Sequence, residues 1–323
     1  MTKPTDADNL RQTAVGLLHR EQRWHSTPGS IWGQPSGLAS IDELLGGLPE
    51  SGLIILGGRP SHGKTALAMV IATSLALHYR QLWDGVGDTA KDAVLFISPE
   101  MTPEDIVERF ATQTSRVATE DIKRGRAGEA ERTRWRQAAE AIDILAPVLK
   151  VYAGDAISFA EVQEIVDEAV LVDGRRVRLV VIDYLQQLSL SAMGGQGGEY
   201  HALTVMANGL KAMANKYRIP FLVASQLNRR VEHDNQGGSE RPPSAVDLSG
   251  SGAIEAAADQ AWLLWNPPEP TKAHVQGEPS RSAKLIVAKN RHGPVGEVEL
   301  RYFPRLVLFA DPEKSNVKRD GGL

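Results

Sequence analysis

The sequence predicts an α/β fold in which a mostly parallel central sheet is flanked by helices. Three observations predict it. Short, continuously apolar runs recur between Gly52 and Lys289, as in strands covered on both faces. Amphipathic stretches of helical period lie between those runs. A glycine-rich turn joins the first apolar run directly to an apolar helix-like stretch. With 323 residues the chain can bury one large core or two modest ones.

Strands are expected at Gly52–Gly57, Ala93–Ser98, Arg178–Asp183, Pro220–Ser225, Gln260–Trp265 and Ala283–Lys289. Val162, Ile165, Val166, Ala169 and Val170 form one helical stripe, and Leu203, Met206, Leu210 and Met213 another. Strand–helix alternation implies a sheet wound in right-handed crossovers. Residues 1–36 read as a polar N-terminal tail containing one amphipathic stretch, Leu10–His19. Residues 37–310 read as one compact domain, and the polar tail Asp311–Leu323 as flexible. Two glycine-rich stretches, Met193–Glu199 and His233–Ser251, are expected as surface loops, of the length that often serves binding. No internal repeat is present.

Composition narrows the function. No apolar run reaches the ~20 residues needed to span a bilayer, and the start lacks a charged-then-apolar leader. A cytoplasmic location is expected. The sequence contains no cysteine, which removes disulfides, iron–sulfur clusters and cysteine-ligated zinc together. Its eight histidines are scattered without metal-ligand spacing. A net charge of −4 argues against a broad basic surface for nucleic acid and leaves room for a local basic stripe.

The strand Leu53–Gly57 runs into Gly58-Arg59-Pro60-Ser61-His62-Gly63-Lys64-Thr65, and then into the helix-like Ala66–Ala72. This is the phosphate-binding pattern G-x-x-x-x-G-K-[ST] in its strand–loop–helix setting. Glycines let backbone N–H groups turn inward around phosphates, and the following helix N-terminus adds a favourable dipole. ATP is the expected ligand of Gly58 through Ala66. Lys64 would neutralise the β- and γ-phosphates, and Thr65 would hold Mg²⁺.

In an open α/β sheet, ligands sit beyond the carboxyl ends of the strands. Glu100, Asp183 and Gln226 each fall at such an end. Alone, each also fits a capping or turn residue; their joint placement favours a site. Asp183 is expected to anchor the Mg²⁺ shell, Glu100 to orient and polarise an attacking water, and Gln226 to sense the γ-phosphate. A cation must also stabilise transition-state charge. Lys289 and Arg291, after the last long strand, are the candidates, and a solvated turn is the competing reading.

Gly58–Thr65, Ser98-Pro-Glu-Met101, Ile182-Asp-Tyr-Leu-Gln186, Ser225-Gln-Leu-Asn-Arg229 and Lys289-Asn-Arg-His-Gly-Pro-Val-Gly296 resemble, in order and spacing, the motor domain of DnaB-type replicative DNA helicases. The likeness runs from Gly37 to Ala310. It implies a RecA-like P-loop NTPase that assembles as a ring, usually a hexamer, around single-stranded DNA and moves 5′ to 3′. It implies ATP at subunit interfaces, with Glu100 as catalytic glutamate and Lys289 and Arg291 reaching a neighbour's γ-phosphate. Arg109 matches a position that packs on adenine in this family; an exposed helix arginine is the equal alternative. A primase or a helicase loader is the implied protein partner.

Two departures from the family pattern stand out. Only about 36 residues precede the similarity, enough for a subunit-linking helix at Leu10–His19 rather than the usual helical N-terminal domain. In the DNA loop, Ser249 and Gly250 stand where the family often has arginine and glutamate. Backbone N–H groups at Ser249, Gly250, Ser251 and Gly252 remain able to hold phosphate, and Arg229, Arg230 and Arg241 lie near in sequence. Two alternatives share the core: a RecA-like recombinase or DNA-dependent ATPase, and an ATP-switched loader or scaffold that unwinds nothing.

Overall fold

The computed structural model describes residues 31–83, 92–154, 157–188, 198–227, 241–244, 247–248, 252–266, 273–275 and 278–312, with Arg11, Ala14, Val15, Leu17, Leu18, Glu21 and Gln22. The helices are α1 (Ala39–Leu45), α2 (Lys64–Trp83), α3 (Pro103–Ser115), α4 (Thr119–Lys123), α5 (Glu129–Glu140), α6 (Ile142–Leu145), α7 (Phe159–Asp167), α8 (Gly198–Tyr217) and α9 (Gly252–Ala257). The strands are β1 (Gly52–Gly58), β2 (Asp92–Ser98), β3 (Leu149–Ala153), β4 (Arg176–Ile182), β5 (Pro220–Gln226), β6 (Gln260–Trp265), β7 (Ala273–Val275), β8 (Glu278–Asn290), β9 (Gly296–Phe303) and β10 (Leu308–Ala310).

The sheet order is β10-β9-β8-β6-β1-β5-β4-β2-β3, with β7 paired to β8. From β3 to β6 every pairing is parallel; β8, β9 and β10 then add antiparallel. All six expected strands are present, β6 with its expected bounds. The stretch Ala283–Lys289 differs in direction, because β8 runs against β6 as part of a hairpin with β9. Its burial alternates accordingly, with Ala283, Leu285 and Val287 buried and Lys284, Ile286 and Ala288 less so.

Continuous apolar strands arise because the sheet has a core on each face. Ile54 and Leu56 of β1 join one cluster with Leu67, Ile71 and Leu75 of α2. Leu53 and Ile55 join the other with Val162 and Val166 of α7 and Leu203, Met206, Leu210 and Met213 of α8. Successive strand residues point to opposite faces, so both sets must be apolar. Both expected helical stripes are thereby buried or partly buried. The first runs past α7 into a wider turn at Glu168–Val172.

Two local expectations need correction. The stretch Met193–Glu199 is not loop throughout: Gly198 and Glu199 open α8, while 193–197 lie outside the described residues. The polar tail does not begin at Asp311, whose carboxylate accepts the N–H groups of Ala39 and Ser40 at 2.7 and 2.9 Å. An anion at the first turn of a helix satisfies donors with no partner inside the helix. Within Leu10–His19, the described residues are helical, and Val15, Leu17 and Leu18 are exposed; Leu10 and His19 lie outside the described residues.

Candidate active site

The turn from β1 to α2 is held open by its glycines. Gly63 has φ +93°, and a Cβ there would lie 2.8 Å from the Phe309 ring, a conformation and a space that suit glycine alone. The tip of the turn is braced from β6: Asn266 donates its backbone N–H to His62 Nδ1 and its side-chain amide to the His62 carbonyl, both at 3.3 Å. Lys64 folds back into the loop, donating to the carbonyls of Gly58 at 2.8 Å and Arg59 at 3.1 Å. Burial brings its pKa down to about 8, against the pull of Asp183 and Glu100.

Parallel pairing puts the ends of β2, β4 and β5 on this same rim. The Asp183 N–H continues the ladder to the Ile97 carbonyl at 2.9 Å. The buried Ser98 hydroxyl lies 3.4 Å from the Asp183 carbonyl and accepts the Met101 N–H at 3.3 Å. It thus pins the turn carrying Glu100 to the strand carrying Asp183. Thr102 caps α3 in a reciprocal box with Asp105, and the buried Ile106 and Phe110 fix that helix on the core. Arg109 is left facing the rim.

The result is a cavity of about 420 Å³ lined by Lys64, Thr65, Glu100, Arg109, Asp183 and Gln226, together with Pro60, Ser61, Gly63 and Ala66 of the turn. Gly58, Arg59 and His62 frame the turn without lining the cavity. Both carboxylate oxygens of Asp183 are buried without a hydrogen-bond partner. Burial raises the Asp183 pKa, with the Thr65 hydroxyl opposing and the Glu100 charge adding. A buried carboxylate with no well-formed hydrogen bond, beside Thr65 and Lys64, fits a cation–phosphate ligand.

Sequence reasoning missed Tyr184, Tyr302 and Val307 on the cavity wall. Tyr302 arrives through two reversals: β8 runs against β6, and β9 runs against β8, so the end of β9 returns to the rim. There Tyr302 packs on Phe309, ring centres 4.6 Å apart, with the Arg281 guanidinium 5.3 Å from its ring centre. The alternation Val298, Leu300, Tyr302 was the available signal.

Lys289 and Arg291 are not brought to this cavity. Asn290 pairs with Gln260, which pairs with Ile54 near the start of β1. The phosphate-binding turn leaves the other end of that strand at Gly58, four residues or about 13 Å on from Ile54. At the far rim Lys289 Nζ donates to the Glu255 carbonyl; burial and the Arg291 charge push its pKa down. Arg291 donates from Nη2 to the Ala256 carbonyl at 2.5 Å and from its backbone N–H to the Asp259 carbonyl at 2.9 Å.

Of the expected DNA contacts, Arg241 gives both guanidinium ends to Asp247 at 2.8 Å. Gly252 is the first residue of α9. Arg229, Arg230, Ser249, Gly250 and Ser251 lie outside the described residues. The segment between β5 and α9 is closed at its base by a bridge between Leu227 and Leu248. No helix among the described residues is long and apolar enough to cross a membrane.

Residues 33–311 match the family model described as DnaB-like helicase C terminal domain. Over 312 residues the chain is 26% identical to the replicative DNA helicase DnaB of Geobacillus stearothermophilus, covering 95% of this chain and 62% of that one. It is 29% identical over 293 residues to a probable replicative DNA helicase of Trieres chinensis, covering 90% and 60% respectively. The chain thus spans about three fifths of the length of these relatives. Among solved structures, an isolated ATPase domain superposes with a TM-score of 0.74 at 25% identity, covering 93% of this chain and 98% of that one. A DnaB-like replicative helicase, solved with its interactions with primase, gives the same TM-score at 24% identity, covering 96% and 68%. The match to most of the chain places it in the DnaB-like helicase C-terminal domain family.

Proposed function

We propose that this chain is the ATP-hydrolysing motor of a replicative DNA helicase, which moves 5′ to 3′ on single-stranded DNA as a ring. The observation that carries the reading is the division of the site. Lys64, Thr65, Glu100, Arg109, Asp183 and Gln226 surround one cavity, while Lys289 and Arg291 sit across the sheet. Neither side chain spans that separation, so Lys289 and Arg291 serve the cavity of another copy and add to the Lys64 already there. A head-to-tail contact of this kind gives a ring where its rotation closes and a filament where it does not; the ring is the form proposed here.

The roles follow from the residues' surroundings. Lys64 exchanges the carbonyls of Gly58 and Arg59 for β- and γ-phosphate oxygens, balancing their charge. Thr65 and Asp183 would hold Mg²⁺, which when bound neutralises phosphate charge. Glu100, exposed at the rim, orients the attacking water and takes its proton. Gln226 reports the γ-phosphate to the chain following β5. Arg109 and Tyr302 border the space for the base. Arg291 and Lys289 of a neighbour stabilise charge on the transferred group.

DNA is held through Arg229 and Arg230 and through backbone N–H groups at Ser249–Gly252. Without an arginine at Ser249, phosphate contacts are fewer, and the salt dependence of binding is correspondingly shallow. The helical stretch bearing the exposed Val15, Leu17 and Leu18 supplies an apolar face for the next subunit. A primase or loader is the expected protein partner.

The test measures ATP hydrolysis with and without single-stranded DNA, and unwinding of forks with either a 5′ or a 3′ tail. Stimulated hydrolysis with unwinding of the 5′-tailed fork supports the proposal. Stimulation without unwinding overturns it in favour of a recombinase or a loader, which filament or ring images on DNA then separate.

A further inference from the structure

We propose that Gln186 is a positioning residue that locks Gln226 to the exit of β4, so that the two strand ends answer to the nucleotide as one unit. The proposal rests on the reading of Gln226 as the residue facing the γ-phosphate.

The registered ladder between β4 and β5 ends at Ile182–Val223. Beyond it, Ser225 and Gln226 remain paired with Gly57 and Gly58 of β1 on one side. On the other side β4 has already turned away. Gln186 takes over the missing rung. Its Nε2 donates to the Ser225 hydroxyl at 3.0 Å, and its Oε1 accepts the Gln226 N–H at 3.3 Å. Both ends of one side-chain amide are therefore spent on the last two residues of β5.

The turn presenting Gln186 is itself fixed. It is the tight turn Leu185–Gln187, one residue beyond Tyr184 and two beyond Asp183. Leu185 and Leu188 are buried in the core beneath it. Gln187 donates to the Tyr184 hydroxyl at 2.8 Å, holding a second residue of the cavity wall. Asp183, Tyr184, Gln186 and Gln226 thus form one connected patch. A displacement of Gln226 carries the β4 exit with it or breaks two hydrogen bonds. Backbone donors rarely go without a partner, so the first course is the favoured one.

A double-mutant cycle separates this role from simple stabilisation. The kcat and KM for ATP of the full chain are measured with and without single-stranded DNA for Gln186→Ala, Gln226→Ala and the pair. Gln186→Ala should lower the DNA-stimulated kcat by about tenfold with little change in KM, as for loss of a partner that orients a working group. The pair should be no slower than Gln226→Ala alone. Gln186→Glu should retain most of the stimulation, because the Ser225 hydroxyl can turn and donate to a carboxylate. Gln186→Leu, similar in size and without polar ends, should behave like the alanine variant and replaces it if the latter fails to fold.

Losses that multiply in the pair overturn the proposal, as does a Gln186→Ala enzyme with normal stimulation. If Gln226→Ala itself is normal, the reading of Gln226 fails instead.

Discussion

Replacing Asp259 by alanine tests the energetic centre of the far rim. Its side chain is 7% exposed. It accepts the Leu53 N–H at 2.8 Å and the Lys211 ammonium, and lies 3.8 Å from the Arg291 guanidinium. The Arg291 contact is long and that side chain 45% exposed, so it adds little. The Lys211 contact decides the outcome, because Lys211 is only 22% exposed. Removing one partner of such a pair strands a charge in poor solvent and costs about 3–5 kcal/mol. A more exposed pair, Lys284–Glu297 at 2.9 Å with 34% and 51% exposure, sets the contrast. Its loss should cost under ~1 kcal/mol. Urea unfolding of Asp259→Ala and Glu297→Ala measures both. A loss below about 1 kcal/mol for Asp259→Ala, or equal losses for the two, would refute the reasoning.

Glu100→Gln should keep ATP binding while hydrolysis falls by about 10²-fold or more; near-normal turnover would mean that another group activates the water. In that variant, ATP affinity should also follow the charge of Lys64. Burial holds its pKa near 8, and phosphate binds the protonated form. Loss of the Glu100 charge lowers that pKa further, so affinity weakens as pH rises through this range, by at least about tenfold between pH 7 and 9. Calorimetry giving one affinity across this range would exclude the role assigned to Lys64.

What the sequence reveals depends on how local each signal is. The phosphate-binding turn is a contiguous pattern, and the ends of β2, β4 and β5 could be read from where apolar runs stop. Glu100, Asp183 and Gln226 therefore meet at the cavity as the pattern implied. Tyr302 could not be found that way, since its strand returns to the rim only through the reversal at β8, and Val307 lies in the turn that follows that strand. That reversal is tertiary, and a short apolar run looks alike in either direction. Edge strand β3 has one buried residue among five and leaves almost no hydrophobic pattern. Arg241 shows what sequence proximity leaves out. Its charge suggested DNA, while a nearby carboxylate, Asp247, takes both ends of it.

The central claim is that each phosphate site is completed by a second copy. Glu100→Gln and Arg291→Ala chains, each inactive alone, are mixed in equal amounts and allowed to reassemble before ATP turnover is measured. Pairing an intact Glu100 with a neighbour's intact Arg291 should restore roughly a quarter of wild-type turnover, the share of randomly formed interfaces holding both. Turnover that stays at the level of the separate variants would contradict the account.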